Sequence, residues 1–167
     1  QLKIQSEMNV LRVLSLFSGC GGMDLGIEGG FSIPKCSLNK NINADWIEND
    51  INQNYYLLKK NPFETVFAND IRPMAKTLWC NYFKNLYNEK KINDLYHIES
   101  IVDLVKQHNR GNDVFPKNID IVTGGFPCQD FSVAGKRKGF KSYKGHNENK
   151  IDDYENPEIE NRGMLYY

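Results

Sequence analysis

The apolar positions change period several times along the chain, and each change marks an element. Residues 1 to 10 are a polar lead-in. Leu11-Arg12-Val13-Leu14-Ser15-Leu16-Phe17 is apolar nearly throughout, the pattern of a buried strand. It runs into the turn Ser18-Gly19-Cys20-Gly21-Gly22, and Met23, Leu25 and Ile27 follow as a short helix closed by Gly29-Gly30. After a polar connector over residues 31 to 43, Ala44-Asp45-Trp46-Ile47-Glu48 reads as a second strand ended by Asn49-Asp50. The stretch from Ile51 to Lys60 reads as a helix with Tyr55, Leu57 and Leu58 among its apolar positions, stopped by Asn61-Pro62. Thr65-Val66-Phe67-Ala68 is a third strand that ends in Asn69-Asp70-Ile71, and Pro73 suits helix entry. Two helical patterns follow. One runs from Met74 to Tyr87, and the other places Ile98, Ile101, Val102 and Val105 at i, i+3, i+4 and i+7 and reaches His108. Arg110-Gly111-Asn112-Asp113 is a turn, and a fourth strand covers Ile119 to Val122.

Strands alternating with helices predict an α/β domain with a mainly parallel sheet and helices on both faces. In such a sheet, ligands bind just past the carboxyl ends of the strands. The fourth strand delivers Thr123-Gly124-Gly125-Phe126-Pro127-Cys128-Gln129 to that edge, so Cys128 stands where a substrate can reach it and reads as a nucleophile. The glycine turn after the first strand suits close backbone approach to a ligand. It is not a dinucleotide fingerprint, because Asp24 occupies the place of the third glycine, and it lacks the Gly-Lys-Ser/Thr of a phosphate loop. A plain structural turn is the alternative. Glu48 and Asp50 share one strand face and both qualify as acceptors for ribose hydroxyls, with a helix cap as the other reading of Asp50.

At 167 residues the chain fits one domain, and 40% hydrophobic with 25% charged residues is ordinary globular composition. Twenty-one basic residues balance twenty-one acidic ones, so a nucleic-acid partner must be argued from local patches. The patch is Gly135-Lys136-Arg137-Lys138-Gly139-Phe140-Lys141 with Lys144, a basic loop flanked by glycines that suits phosphate contacts, with a solvated surface loop as the alternative. Residues 145 to 160 turn acidic and Asn-rich and read as exposed. Arg162 to Tyr167 reads as the start of another helix. No apolar run is long enough to span a membrane, and no signal-peptide pattern is present. The four cysteines are far apart, with no Cys-x-x-Cys, which points to reduced thiols in a cytoplasmic protein and away from a metal site. His97 and His108 have no ligand-spaced partners.

Together these blocks resemble the catalytic domain of C5-cytosine DNA methyltransferases. Leu14 to Met23 is similar to the family's first motif, which cradles S-adenosylmethionine. The resemblance therefore implies cofactor contacts from Phe17, Ser18, Gly19, Cys20, Gly21 and Gly22. Asn49-Asp50-Ile51 is similar to the second motif, which implies Asp50 on the ribose and Ile51 against the adenine. Asn69-Asp70-Ile71 is similar to the third, with Asp70 at the adenine amino group and Ile71 beside it. Gly125-Phe126-Pro127-Cys128-Gln129-x-Phe131-Ser132-x-x-Gly135-Lys136-x-x-Gly139-Phe140 resembles the fourth motif nearly completely. It implies a catalytic Cys128, cofactor contacts from Gly125 and Pro127, and DNA contacts from Gln129, Ser132, Lys136 and Lys138. Arg162-Gly163-x-Leu165 resembles the fifth, with Leu165 lining the cofactor pocket.

The implied fold is the Rossmann-like S-adenosylmethionine-dependent methyltransferase fold, incomplete in this chain. The implied activity is methyl transfer to cytosine in double-stranded DNA, of the restriction-modification type, with S-adenosylhomocysteine as product. On this reading residues 73–118 are a helical insertion. The Glu-Asn-Val motif, the Gln-x-Arg-x-Arg motif and the target-recognition domain are absent from residues 1–167, so the chain is expected to be the front part of the catalytic domain. Three rivals stay open: a cofactor-binding subunit that needs a second chain, a nucleotide-dependent oxidoreductase, and a purely structural Cys128.

Overall fold

The computed structural model describes residues 9–84, 86–87, 89–128, 132, 139–152 and 161–166. The elements in chain order are β1 (Leu11–Leu16), α1 (Gly22–Glu28), β2 (Ser32–Pro34), α2 (Lys40–Asn43), β3 (Ile47–Asp50), β4 (Tyr55–Leu58), β5 (Phe63–Asn69), α3 (Pro73–Phe83), α4 (Glu89–Leu95), β6 (Tyr96–His97), α5 (Ile101–Asn109) and β7 (Ile121–Gly124). A 3-10 turn over Arg162–Tyr166 follows.

Four strands form a parallel sheet in the order β6-β5-β1-β7. β1 lies inside it, with Leu14 opposite both Phe67 and Val122. This explains its almost continuous apolar sequence, since a strand covered on both faces has no side to give to water. Successive residues of β5 point to opposite faces. Phe67 packs with Leu14 and Leu104 of α5, and Ala68 packs with Ala75, Trp79 and Phe83 of α3 and with Tyr96. Helices thus cover both faces, as the alternation of elements predicts. Trp79 and Phe83, four residues apart on α3, are fully buried and stack at 4.2 Å between ring centroids.

The chain leaves β1 for β5 and β6 on one side, then returns to β7 on the other. The order therefore reverses between β1 and β7, and a crevice at the carboxyl ends of these two strands is where open α/β sheets bind ligands. Both the glycine turn and the Cys128 loop emerge there.

Three expectations differ. The stretch 51–60 is not a helix: Tyr55–Leu58 is strand β4, the middle of a separate antiparallel sheet in the order β2-β4-β3. Asn52 drives this, because its Oδ1 accepts from the backbone N–H of both Asn54 (2.8 Å) and Tyr55 (3.1 Å) and closes a hairpin. Tyr56 is then buried while Tyr55 is exposed, a period of two that the short apolar run concealed. Of the predicted second strand, Ala44–Trp46 forms a 3-10 turn, and Ile47 and Glu48 begin β3, which belongs to this small sheet and not to the parallel one. Finally, residues 73–118 are not only helical. They contain β6, whose Tyr96 pairs with Ala68, so this region supplies an edge of the main sheet.

Candidate functional site

The turn after β1 is held from three sides. The Ser18 backbone N–H donates to the Asn69 carbonyl (2.7 Å), and the Asn69 N–H returns a bond to Ser18 Oγ (3.1 Å). The Gly19 N–H donates to Asp70 Oδ2 (3.2 Å), and Tyr96 Oη donates to the Gly19 carbonyl (2.8 Å). Below the turn, Ser18 Oγ donates to Ser15 Oγ (2.8 Å), Ser15 Oγ to Asp24 Oδ1 (2.5 Å), and Trp79 Nε1 to Asp24 Oδ2 (2.7 Å). Asp24 is fully buried, and that burial pushes its carboxyl above the usual carboxylate range despite the two donors. Gly21 has φ 87°, and a Cβ there would stand 2.5 Å from Trp79 Cδ1, so only glycine fits between turn and helix. Phe17 also has a left-handed φ of 55°, strain of roughly 1–2 kcal/mol at a residue that faces the crevice.

The crevice is a cavity of about 190 Å³. Phe17 and the β5 end (Asn69, Asp70, Ile71, Arg72) form one side, and Gly125 and Pro127 past β7 form another. Ile101, His146, Glu148 and Leu165 close it. A larger apolar groove beside it shares Phe17, Ile101 and Leu165. Cys128 follows directly on the pocket-lining Pro127 and is exposed, and its carbonyl accepts from the Ser132 N–H at 2.8 Å.

Of the residues implied to hold a cofactor, Phe17, Asp70, Ile71, Gly125, Pro127 and Leu165 line this one cavity. Ser18, Gly19, Cys20, Gly21 and Gly22 form the adjoining turn and the first residue of α1. The chemistry suits an adenosyl ligand: a carboxylate at a strand end beside apolar Ile71, Ile101 and Leu165. Cβ atoms added at Gly19, Gly22 or Gly125 would meet nothing within 4 Å, so there is open space along the turn for such a ligand.

Asp50 and Ile51 are not brought to the site. They lie at the end of β3 in the antiparallel sheet, where Asp50 is paired with Lys35 and Ile51 is 47% exposed. The Lys35 ammonium holds the Asp50 carboxyl below its usual range. Gln129, Lys136 and Lys138 lie outside the described residues, and Ser132 is half-buried at the start of that stretch. His97 stacks on Phe67 at 4.4 Å, and burial pushes its pKa down. No group of three His, Cys, Asp or Glu side chains placed to hold a metal occurs among the described residues. Among them, too, no helix is long and apolar enough to cross a membrane.

Sequence reasoning missed Asn69, Arg72, Ile101, His146 and Glu148. Ile101 had a signal, since Ser100 is a helix N-cap accepting from the Val102 N–H (3.3 Å) at the same edge of the sheet. His146 had none. It lies in the polar segment expected to be exposed, yet Ser142, Gly145, His146 and Ile151 are buried. Hydrogen bonds to elements distant in sequence, which composition does not register, fold the segment inward.

A family model of C-5 cytosine-specific DNA methylases matches residues 11–148. Type II methyltransferase M.NgoFVII of Neisseria gonorrhoeae is 32% identical over 143 residues, 86% of this chain and 26% of that protein. Type II methyltransferase M.BspRI of Lysinibacillus sphaericus is 34% identical over 136 residues, 81% of this chain and 27% of that protein. Type II methyltransferase M.AquIA of a Picosynechococcus species is 30% identical over 135 residues, 80% of this chain and 39% of that protein. The chain spans about a quarter of the length of the first two of these relatives. No solved structure matches it significantly. With the glycine turn, the strand-end carboxylate and the Pro-Cys loop meeting at one switch point, and a family match over most of its length, the chain belongs to the C-5 cytosine-specific DNA methylase family.

Proposed function

We propose that the protein transfers a methyl group from S-adenosylmethionine to C5 of a cytosine in double-stranded DNA, as part of a restriction-modification system. The observation that carries this is the adjacency of Pro127, in the pocket wall, and Cys128, whose thiol is exposed beside it. The bound donor supplies an electrophilic methyl on a sulfonium. Asp70 accepts from the adenine amino group, and Ile71, Ile101 and Leu165 flank the adenine. The chain leaving Gly19 is kept in register with Asp70 by their direct hydrogen bond.

Cytosine C5 is a poor nucleophile. The Cys128 thiolate adds to C6 and pushes electron density to C5, which takes the methyl. Loss of the C5 proton and departure of the thiolate restore the aromatic ring. Only the thiolate form of a cysteine attacks. The base is inaccessible within the duplex and is flipped out to reach Cys128. Gln129, Ser132, Lys136 and Lys138 follow the cysteine in sequence and are assigned to the DNA side.

A second reading starts from the cavity standing within these residues: they hold the donor, and a separate chain supplies the Glu-Asn-Val and Gln-x-Arg-x-Arg motifs. One assay separates the two. Methylation of duplex DNA is measured with the chain alone and mixed with a chain carrying the Glu-Asn-Val and Gln-x-Arg-x-Arg motifs. Activity alone supports the first reading, and activity only on mixing supports the second. Cys128→Ser must abolish methylation in whichever arm is active while donor binding stays within twofold, and retained turnover sinks the nucleophile.

A further inference from the structure

The segment after the cysteine loop folds back as a tight turn. The Ile151 N–H donates to the Tyr143 carbonyl (2.8 Å), the Gly145 N–H to the Asn149 carbonyl (2.8 Å), and the Arg162 N–H to the Lys144 carbonyl (2.7 Å). Two side chains near its tip, His146 and Glu148, line the same cavity as Asp70 and Pro127. His146 is only 8% exposed, and its Nδ1 lies 2.7 Å from Oγ of Ser100, the N-cap of α5. A ring nitrogen fixed by a second group sets the orientation of the whole imidazole. Asp103 Oδ2 lies 4.0 Å from the same nitrogen.

Glu148 is held by Lys144 Nζ (2.8 Å) and lies 3.4 Å from Nη1 of the buried Arg162. Its backbone has φ 64°, a conformation that glycine adopts freely and glutamate does not. A non-glycine residue at a strained backbone position in a pocket wall points to a role for its side chain.

Resting on the reading of this pocket as the methyl-donor site, we propose that residues 142–151 form its outer wall, with His146 in contact with the bound adenosyl group and Ser100 positioning the ring. His146 and Glu148 sit on one short turn, so a contact at His146 bears on the whole turn. Donor occupancy then protects the backbone amides of residues 142–151 from hydrogen exchange.

The chain has three histidines, so ring nitrogen resonances of labelled protein are assigned to His146 by their loss in His146→Gln. S-adenosylhomocysteine, which undergoes no methyl transfer, is the probe. Its addition is expected to shift the His146 ring signals, and calorimetry is expected to give about a tenfold weaker Kd for His146→Ala, with a smaller loss for Ser100→Ala. Unmoved His146 signals at saturating ligand, with binding still lost in Asp70→Ala, overturn the wall and leave the donor site standing. No binding by the wild-type chain overturns both.

Discussion

Asn49-Asp50-Ile51 and Asn69-Asp70-Ile71 are the same tripeptide at the carboxyl ends of two strands, β3 and β5. They differ in what surrounds the strand. β5 has neighbours on both sides in the parallel sheet, and its end abuts β1, so Asp70 meets the Gly19 N–H and the cavity at once. β3 is the edge of a three-stranded antiparallel sheet, and Asp50 meets Lys35 and solvent. A strand-end carboxylate reaches the cavity only by way of the strand beside it. Place in the sheet, not the tripeptide, decides.

The two sheets can be told apart first by stability. Phe67 in β5 is 2% exposed, and truncating it opens a cavity between Leu14 and Leu104. Phe67→Ala is expected to cost about 3–5 kcal/mol in chemical denaturation. Trp46, just before β3, is 58% exposed, and Trp46→Ala is expected to stay within about 0.5 kcal/mol. Equal costs would mean that both sheets belong to one core and would dissolve the contrast.

The next effect is on the ligand. Asp70→Ala removes a charged acceptor and is expected to weaken S-adenosylmethionine binding by about 1.5–3 kcal/mol, roughly ten- to a hundredfold in Kd. Asp50→Ala is expected to leave the Kd within twofold, read by the same calorimetric titration. A loss in Asp50→Ala equal to that in Asp70→Ala would restore the assignment by motif order. Ile71→Ala is expected to lose about 0.8 kcal/mol for each methylene the ligand covers, whereas Ile51→Ala loses nothing.

What the sequence made legible follows from how strongly each signal is local. β1, α3, α5 and β7 rest on long apolar runs or on helical periodicity, and they lie within a few residues of their expected bounds. The Gly-Phe-Pro-Cys loop and the glycine turn were readable because glycines and a proline at a strand end restrict the backbone whatever the context. Tyr55–Leu58 is a strand where a helix is expected, because a four-residue apolar run has no period and its state is set by the Asn52 turn. The resemblance implies a cofactor contact for both Asn-Asp-Ile copies, whereas which of them reaches the cavity depends on pairing partners far away in sequence. β6 is two residues long and leaves no pattern, so its region read as helical insertion. His146 is buried by a bond to Ser100, forty-six residues away, and nothing near it in sequence records that.

The smallest effect concerns charge, and it contrasts the carboxylate beneath the pocket turn with the one on the small sheet. Burial raises the Asp24 carboxyl, so the folded state takes up a proton more readily than the unfolded one. Its stabilising contribution is complete below the ordinary value of 3.8 and is lost as pH rises through the raised value. Asp24→Asn keeps an acceptor for Trp79 Nε1, cannot titrate, and is expected to remove that slope from a plot of stability against pH. Asp50 has the opposite sign: its carboxyl is depressed by Lys35, so its contribution is present above 3.8 and lost as pH falls through the lower folded value. Because Asp50 is solvated, salt screens the pair. Asp50→Asn is therefore expected to alter acid unfolding slightly at low ionic strength and not at all in 1 M salt, where the Debye length is about 3 Å. The Asp24 slope, buried beneath the turn, is expected to survive the salt. If the two respond alike, the carboxylate under the glycine turn is reached by solvent, and the distinction between the sheets fails at its most sensitive point.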